Sequence, residues 1–307
     1  MKYSIPEAYG RRVGQAVIRQ LANGRLRLTR VKGACVKIHP TAIIHPKASL
    51  DHNVEVGPFC VVGEHVVIGK GSRLLSHAII DGWTEIGERN EVHPFASIGG
   101  PPQHLGYKGE PTKVVIGHDN IIREYVTINR GTTQGGGVTS LGSKGILMAY
   151  VHVAHDCRLG DHIIMANAAS LAGHITIGDH AVIGGLTGVL QFVRIGDYVM
   201  VGGCCAIGQD IPPFAFAAGG YRAHLYGLNS VGLQRHGFSV DRIAVLKKAF
   251  DLLFRSGHRT AEAVRLAKKE FKGQADVAKI LTFMEGTKRG ISRAVNHDLE
   301  REFDQPV

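Results

Sequence analysis

The stretch LAGHITIGDHAVIGGLTGVLQFVRIGDYVMVGG, residues 171–203, places an aliphatic side chain at every sixth position: Leu171, Ile177, Ile183, Val189, Ile195 and Val201. The same step runs back through Met165, Leu159, Val153, Leu147 and Leu141, and forward to Ile207. If about a quarter of positions hold Ile, Leu, Val or Met, twelve successes in a row have a chance probability on the order of 10⁻⁷. An earlier series runs without a failure from Ile38 through Ile44, Leu50, Val56, Val62, Ile68, Leu74, Ile80, Ile86 and Val92 to Ile98. Glycine often comes next, as at 57, 63, 69, 87 and 99.

A period of six matches neither the 3.6 of a helix nor the 2.0 of a simple strand meander. It fits short strands that each send one aliphatic side chain inward, joined by turns in which the following glycine is expected to take φ > 0. Three hexads close a triangular coil, and stacked coils bury the aliphatic ladder through their neighbours alone. Residues 18 apart are then expected to lie directly above one another. The fold class is an all-β solenoid, a parallel β-helix.

The pattern lapses in PPQHLGYKGEPT (101–112) and in GTTQGGG (131–137), which read as loops leaving the scaffold. Loops on a rigid frame commonly carry function. GTTQGGG lacks the Lys-Ser/Thr ending and the following helix of a phosphate-binding loop, so that reading is set aside. After about residue 222 helical signals begin. Ser239 is placed to cap a helix with Ile243, Leu246, Phe250 and Leu253 on one face and Gly257 as its stop, followed by a run from Thr260 to Gly273 and a third near 275–293. The expected organisation is a basic N-terminal extension over 1–33, a β-helix domain over 34–221 and an α-helical C-terminal domain over 222–307.

Forty glycines against one tryptophan suit a chain of many tight turns. No run of about 18 apolar residues occurs, so no transmembrane segment is expected. Five cysteines without a C-x-x-C pair point to a reducing, cytoplasmic location. Residues 1–33 hold eight Lys/Arg against one acid and so carry +7 of the formal +10. The body is only mildly basic, which argues against a nucleic-acid partner. Arg11, Arg12, Arg19, Arg25, Arg27 and Arg30, interleaved with Val13, Val17, Ile18 and Leu21, could form a basic amphipathic helix. A solvated extension, or a start codon placed upstream, is the plainer alternative.

For chemistry, the adjacent His155 and Asp156 stand out. An offset of 18 sets Gly173 over His155 and His174 over Asp156, with Gln191 and Phe192 a coil further. Two imidazoles, a carboxylate and a glycine amide are thereby expected within about 5–8 Å of each other. A neutral imidazole steered by a carboxylate is the usual general base near pH 7. Alternatively, both residues fill turn positions and bond locally.

The hexads resemble those of the left-handed parallel β-helix acyltransferases. HPTAIIHP, GPFCVVG, REYVTINRGT, YVHVAHDCRLG (150–160), LAGHITIGDHAVIGG (171–185), QFVRIGDYVMVGGC and QDIPP, in order over roughly residues 38–290, resemble the UDP-N-acetylglucosamine O-acyltransferase family. The resemblance implies the left hand, a homotrimer with sites between subunits, and the first step of lipid A synthesis. It implies transfer of a 3-hydroxyacyl group from acyl carrier protein to the 3-hydroxyl of the UDP-sugar. No cofactor or metal is implied, the carrier-protein thioester being a co-substrate. His155 matches the family's base, Asp156 its supporting carboxylate and Gly173 its oxyanion amide. His152, His174, Gln191, Gln103, Asn229 and Arg235 match substrate contacts, and Gly203 the position that sets acyl length.

Against the family's usual pattern, His104 and Gly106 stand where an acid and a lysine are common, and Leu190 where histidine is. These departures make a modified acceptor, such as a 3-amino UDP-sugar, an alternative. A γ-class carbonic-anhydrase-like enzyme with His152, His155 and His174 as metal ligands is another, and a non-catalytic scaffold for acyl carrier protein a third.

Overall fold

The computed structural model describes residues 17–20, 26–29 and 36–295. The chain forms two compact units, residues 1–163 and 164–307.

In the first unit every ladder residue lies in a strand two to four residues long, as in Lys37–Ile38, Ile43–Ile44 and Ser49–Leu50. Successive strands pass to three different parallel sheets, so three hexads make a coil. Val62, Ile80 and Ile98 are buried, whereas their outward neighbours Val61, Ile79 and Ser97 are not. Each fully buried aliphatic contributes about 1.5–3 kcal/mol. Ile38, Ile44 and Leu50 are only half-buried, because the coil they begin is covered from one side among the described residues.

Registers of 18 hold where no loop intervenes, as in Ile43↔Val61 and Leu141↔Leu159. The loops change them. Ile98 pairs with Ile128 and Ile86 with Ile116, an offset of 30, because 101–112 is extruded between strands. Ile116 pairs with Leu141 across 131–137, an offset of 25. The spacing of 18 between Ile98 and Ile116 is therefore no stacking relation.

The expected role of the glycines is also corrected. Of those that directly follow a ladder residue, Gly99 alone has positive φ among the described residues. Positive φ falls instead three residues after a buried aliphatic, on bulky residues such as Phe95 (φ 64°), Tyr125 (59°) and Tyr150 (64°). That conformation costs roughly 1–2 kcal/mol per residue. Stacking offsets part of it: Phe95 on Tyr125 at 5.0 Å and Tyr125 on Tyr150 at 4.9 Å between ring centroids.

The glycines after the ladder are needed for close approach of neighbouring coils. A Cβ at Gly69 would lie 2.6 Å from the carbonyl carbon of Gly87, and one at Gly87 2.4 Å from the oxygen of Gly117. Gly87→Ala is accordingly expected to destabilise the protein by about 1–3 kcal/mol, read as a lowered thermal midpoint. Gly188→Ala is the control, since a Cβ there meets nothing within 4 Å.

In the second unit the hexads continue from Ile164–Met165 to Ala206–Ile207. Ala215–Ala218 adds one more parallel strand beside Met200–Val201, and His224–Leu228 pairs antiparallel with it. Among the described residues four helices follow: α1 (Ser230–Arg235), α2 (Val240–Phe254), α3 (Thr260–Glu270) and α4 (Ala275–Glu285). As expected, the Ser239 hydroxyl caps α2 by accepting the Arg242 N–H, and Ile243, Leu246, Phe250 and Leu253 are buried. Ile243, Leu246 and Leu253 pack with Phe214, Leu233, Ala263 and Ile280.

Two differences have physical causes. The six residues of α1 are too few to show a helical period. The third expected helix stops at Glu285, not near 293, because Thr287 donates its hydroxyl to the buried Asp210 (2.8 Å), which Arg194 also binds (3.1 Å). Ile291 and Ala294 then bridge Asp210 and Leu225.

Near the N-terminus, Val17–Gln20 and Leu26–Thr29 pair as antiparallel strands, with Ile18 opposite Leu28. These residues are not in the amphipathic helix considered for the extension, and the rest of that stretch lies outside the described residues. No helix among the described residues is long and apolar enough to cross a membrane.

Candidate active site

Asp156 stands three residues after the buried Val153, at a corner position with φ 62°. The preceding His155 brings Nδ1 to 2.8 Å from Asp156 Oδ2, and both residues are 4% exposed. An ionised carboxylate can only accept, so Nδ1–H donates and the lone pair of the ring lies on Nε2. That is the tautomer a general base needs.

The carboxylate is itself tightly held. Thr132 donates its N–H to Oδ1 (2.8 Å) and its hydroxyl to Oδ2 (2.7 Å). The Asp156 N–H donates to the Thr139 hydroxyl (2.8 Å). Gly135 presses so close that a Cβ there would lie 2.0 Å from the Asp156 carboxyl carbon. The glycine-rich loop 131–137 therefore cradles a carboxylate of the protein itself, where its composition had superficially suggested a phosphate. Thr132 escaped the sequence reading because its offset of 24 from Asp156 matches no coil repeat.

The other loop supplies a second imidazole. His104 meets His155 edge to face at 5.3 Å between ring centroids. His104 and Gly106 are sterically linked: Gly106 donates its N–H to His104 Nδ1 (3.1 Å), and a Cβ at 106 would fall 2.9 Å from the same ring. A lysine at 106 thus requires the His104 ring to move, so the two departures from the family pattern form one local arrangement. Gln103 is exposed on the loop beside them.

His152 Nδ1 lies 2.7 Å from the Thr127 hydroxyl. Burial pushes the His152 imidazole below its ordinary value, and the neighbouring His155 adds to the effect. The neutral ring contributes stability above the unfolded value of about 6.5, and that contribution is lost as pH falls through the lowered folded value. An NMR titration is expected to give His152 a midpoint below 6.5, rising in His155→Ala. A midpoint at or above 6.5 in the native protein contradicts the assignment.

The remaining candidates belong to the second unit. Gly173 is buried and its carbonyl accepts the Phe192 N–H (3.3 Å). His174 occupies a corner with φ 63° and stacks on Phe192 at 4.6 Å. Gln191 is exposed, as is Leu190. Gly203 is exposed, and a Cβ there would touch only the Gly185 backbone, at 3.2 Å from its oxygen, so a side chain needs a shift of a few tenths of an ångström. Asn229 caps α1, accepting the Gly232 N–H (3.1 Å) and donating to the Tyr198 carbonyl (2.9 Å), which engages both ends of its amide. Arg235 lies exposed in the last turn of α1.

Residues 210–292 match the family model described as "Udp N-acetylglucosamine O-acyltransferase; Domain 2". The acyl-[acyl-carrier-protein]–UDP-N-acetylglucosamine O-acyltransferase of Thermodesulfovibrio yellowstonii is 55% identical over 257 residues, covering 84% of this chain and 99% of its own. Its counterpart in Syntrophobacter fumaroxidans is 47% identical over 258 residues, covering 84% and 100%. Among solved structures, LpxA of Acinetobacter baumannii superposes with a TM-score of 0.81 at 42% identity, over 83% of this chain and 99% of that one.

The chain belongs to the UDP-N-acetylglucosamine O-acyltransferase family. Its fold is the family's left-handed parallel β-helix with a short helical C-terminal part. The hand is opposite to the one that most parallel crossovers take, and hexad periodicity alone does not decide it. Corner residues with positive φ are frequent in these coils, and Asp156 and His174 both occupy such corners.

Proposed function

We propose that this protein transfers a 3-hydroxyacyl group from acyl carrier protein to the 3-hydroxyl of UDP-N-acetylglucosamine, the first step of lipid A biosynthesis. The observation that carries the reading is the buried His155–Asp156 pair, with its carboxylate fixed by Thr132. His155 Nε2 takes the proton of the sugar hydroxyl as its oxygen attacks the thioester carbonyl. An alcohol of very high pKa needs such a base. The tetrahedral oxyanion requires a fixed donor, a role assigned to the Gly173 N–H by the eighteen-residue offset and the family resemblance. Collapse breaks the C–S bond, and the imidazolium returns its proton to the departing thiolate. The chemistry balances without a metal or cofactor, and none is proposed.

His152, His174, Gln103 and Gln191 are proposed as contacts to the sugar and acyl groups. The exposed Arg235 offers a guanidinium suited to the pyrophosphate. Asn229 is proposed as a nucleotide contact through backbone placement, since its amide is engaged in capping. The assembly proposed is a homotrimer in the cytoplasm, because sites on so open a scaffold need a neighbouring subunit to enclose substrate. Light scattering that returned a stable monomer would remove the shared-site arrangement.

The deciding experiment is a mass assay with 3-hydroxyacyl carrier protein and a panel of UDP-sugars that includes the 3-amino analogue. Product from UDP-N-acetylglucosamine supports the reading, and its absence with every sugar overturns it. A clear preference for the 3-amino sugar would support the altered acceptor, and its loss in His104→Asp with Gly106→Lys would assign it to the loop. Acyl length provides a further check. On the family resemblance Gly203 borders the acyl groove, so Gly203→Met is expected to shift donor preference to shorter chains, measured by competition between donors, and an unchanged preference would place the stop elsewhere.

A further inference from the structure

Arg130 is 7% exposed and makes no ion pair among the described residues. Its guanidinium donates to the Gly99 carbonyl (2.8 Å) and to the Tyr107 hydroxyl (2.7 Å), and its Nε has no hydrogen-bond partner. It lies 5.5 Å from the centre of the Trp83 ring and 5.9 Å from that of Tyr107. An arginine cannot shed its charge, and burying a cation without a counter-ion is costly. Here two aromatic faces and two oxygens stand in for water. One face and one oxygen come from Tyr107, so the charge is well solvated only while the loop 101–112 lies closed over it.

The relation also works in the other direction. The Tyr107 hydroxyl in turn donates to the Glu110 carbonyl (2.9 Å), which extends the hold along the loop. At the loop's entry the Arg130 N–H donates to Gly100 (2.9 Å), and at its exit the Gly131 N–H donates to Lys113 (3.2 Å). The next residue, Thr132, holds the Asp156 carboxylate. Three consecutive residues thus fasten the loop that bears Gln103 and His104 to the pair that bears the base.

We propose that Arg130 is a positioning residue: its buried guanidinium latches the loop 101–112 so that Gln103 and His104 are presented beside His155. The catalytic consequence rests on the acyltransferase reading, whereas the latch itself does not. Lysine carries its three donors on one nitrogen, whereas the two oxygens are met here by two different nitrogens of the planar fork.

The test compares the native protein with Arg130→Lys, Tyr107→Phe and the double variant, by steady-state kinetics and by amide hydrogen exchange. Arg130→Lys is expected to raise KM for the substrates about tenfold or more, and Tyr107→Phe about three- to tenfold. The pH profile of kcat/KM stays unchanged in both. Exchange at residues 103–110 accelerates while that of strands 146–147 and 158–159 does not. The double variant is expected to lose less than the two single losses combined, because both changes break the Arg130–Tyr107 contact. Unchanged loop exchange, additive effects, or a loss confined to kcat with a displaced pH profile would overturn the proposal. If the native protein shows no acyltransfer, the function reading fails while exchange still decides the latch. If Arg130→Lys does not fold, Tyr107→Phe decides it.

Discussion

Replacing His155 with alanine is expected to lower turnover by about 10²–10⁴-fold, the range typical of a lost general base. The fold should survive. His155 stands next to a corner outside the aliphatic ladder, and the neighbouring ladder residue Val153 keeps its register with Ile128. Asp156→Ala is expected to be milder, since the imidazole remains, although the Thr132 N–H and hydroxyl then lose their acceptor. Near-native turnover in His155→Ala, with circular dichroism showing an intact β-sheet signal, would eliminate the proposed base.

Gly135→Ala is expected to lower turnover by about 10–100-fold at nearly unchanged global fold. The added methyl would lie 2.0 Å from the Asp156 carboxyl carbon, which no real contact tolerates. Either the carboxylate leaves its bonds to Thr132 and His155 or the loop 131–137 opens. Both outcomes release the His155 ring from the orientation that exposes the Nε2 lone pair. Gly137→Ala is the informative partner, because a Cβ there meets nothing within 4 Å but must adopt φ 79°. It tests backbone strain in the same loop without touching the carboxylate. Equal losses in the two variants would show that loop strain, not displacement of Asp156, carries the effect. Steady-state kinetics of both variants against native protein decides the matter.

The periodic elements are legible in the sequence, since an aliphatic residue at every sixth position has one efficient burial solution. The α2 cap at Ser239 was legible for a similar reason: capping and the amphipathic face are local. Local chemistry also placed His155 beside Asp156, because adjacent residues at a corner meet whatever else the chain does. Other features depended on residues distant in sequence. Thr132 reaches Asp156 only because a seven-residue loop folds back across the coil. The premature end of α4 depends on Asp210 and Arg194, far upstream in the chain.

The sequence by itself determined the solenoid, its two interruptions, the helical C-terminal segment and the His–Asp pair, because each follows from periodicity or from neighbouring residues. Tertiary structure decided the rest. It set the offsets of 30 and 25 across the loops, since extruded residues add length without adding height to the stack. It assigned the ladder glycines to close coil contact and left positive φ to large corner residues that recover part of its cost by stacking. It also folded the glycine-rich loop 131–137 upon Asp156. A backbone N–H and a hydroxyl bind whichever anionic oxygen packing brings within 3 Å, and only the folded chain determines which oxygen that is.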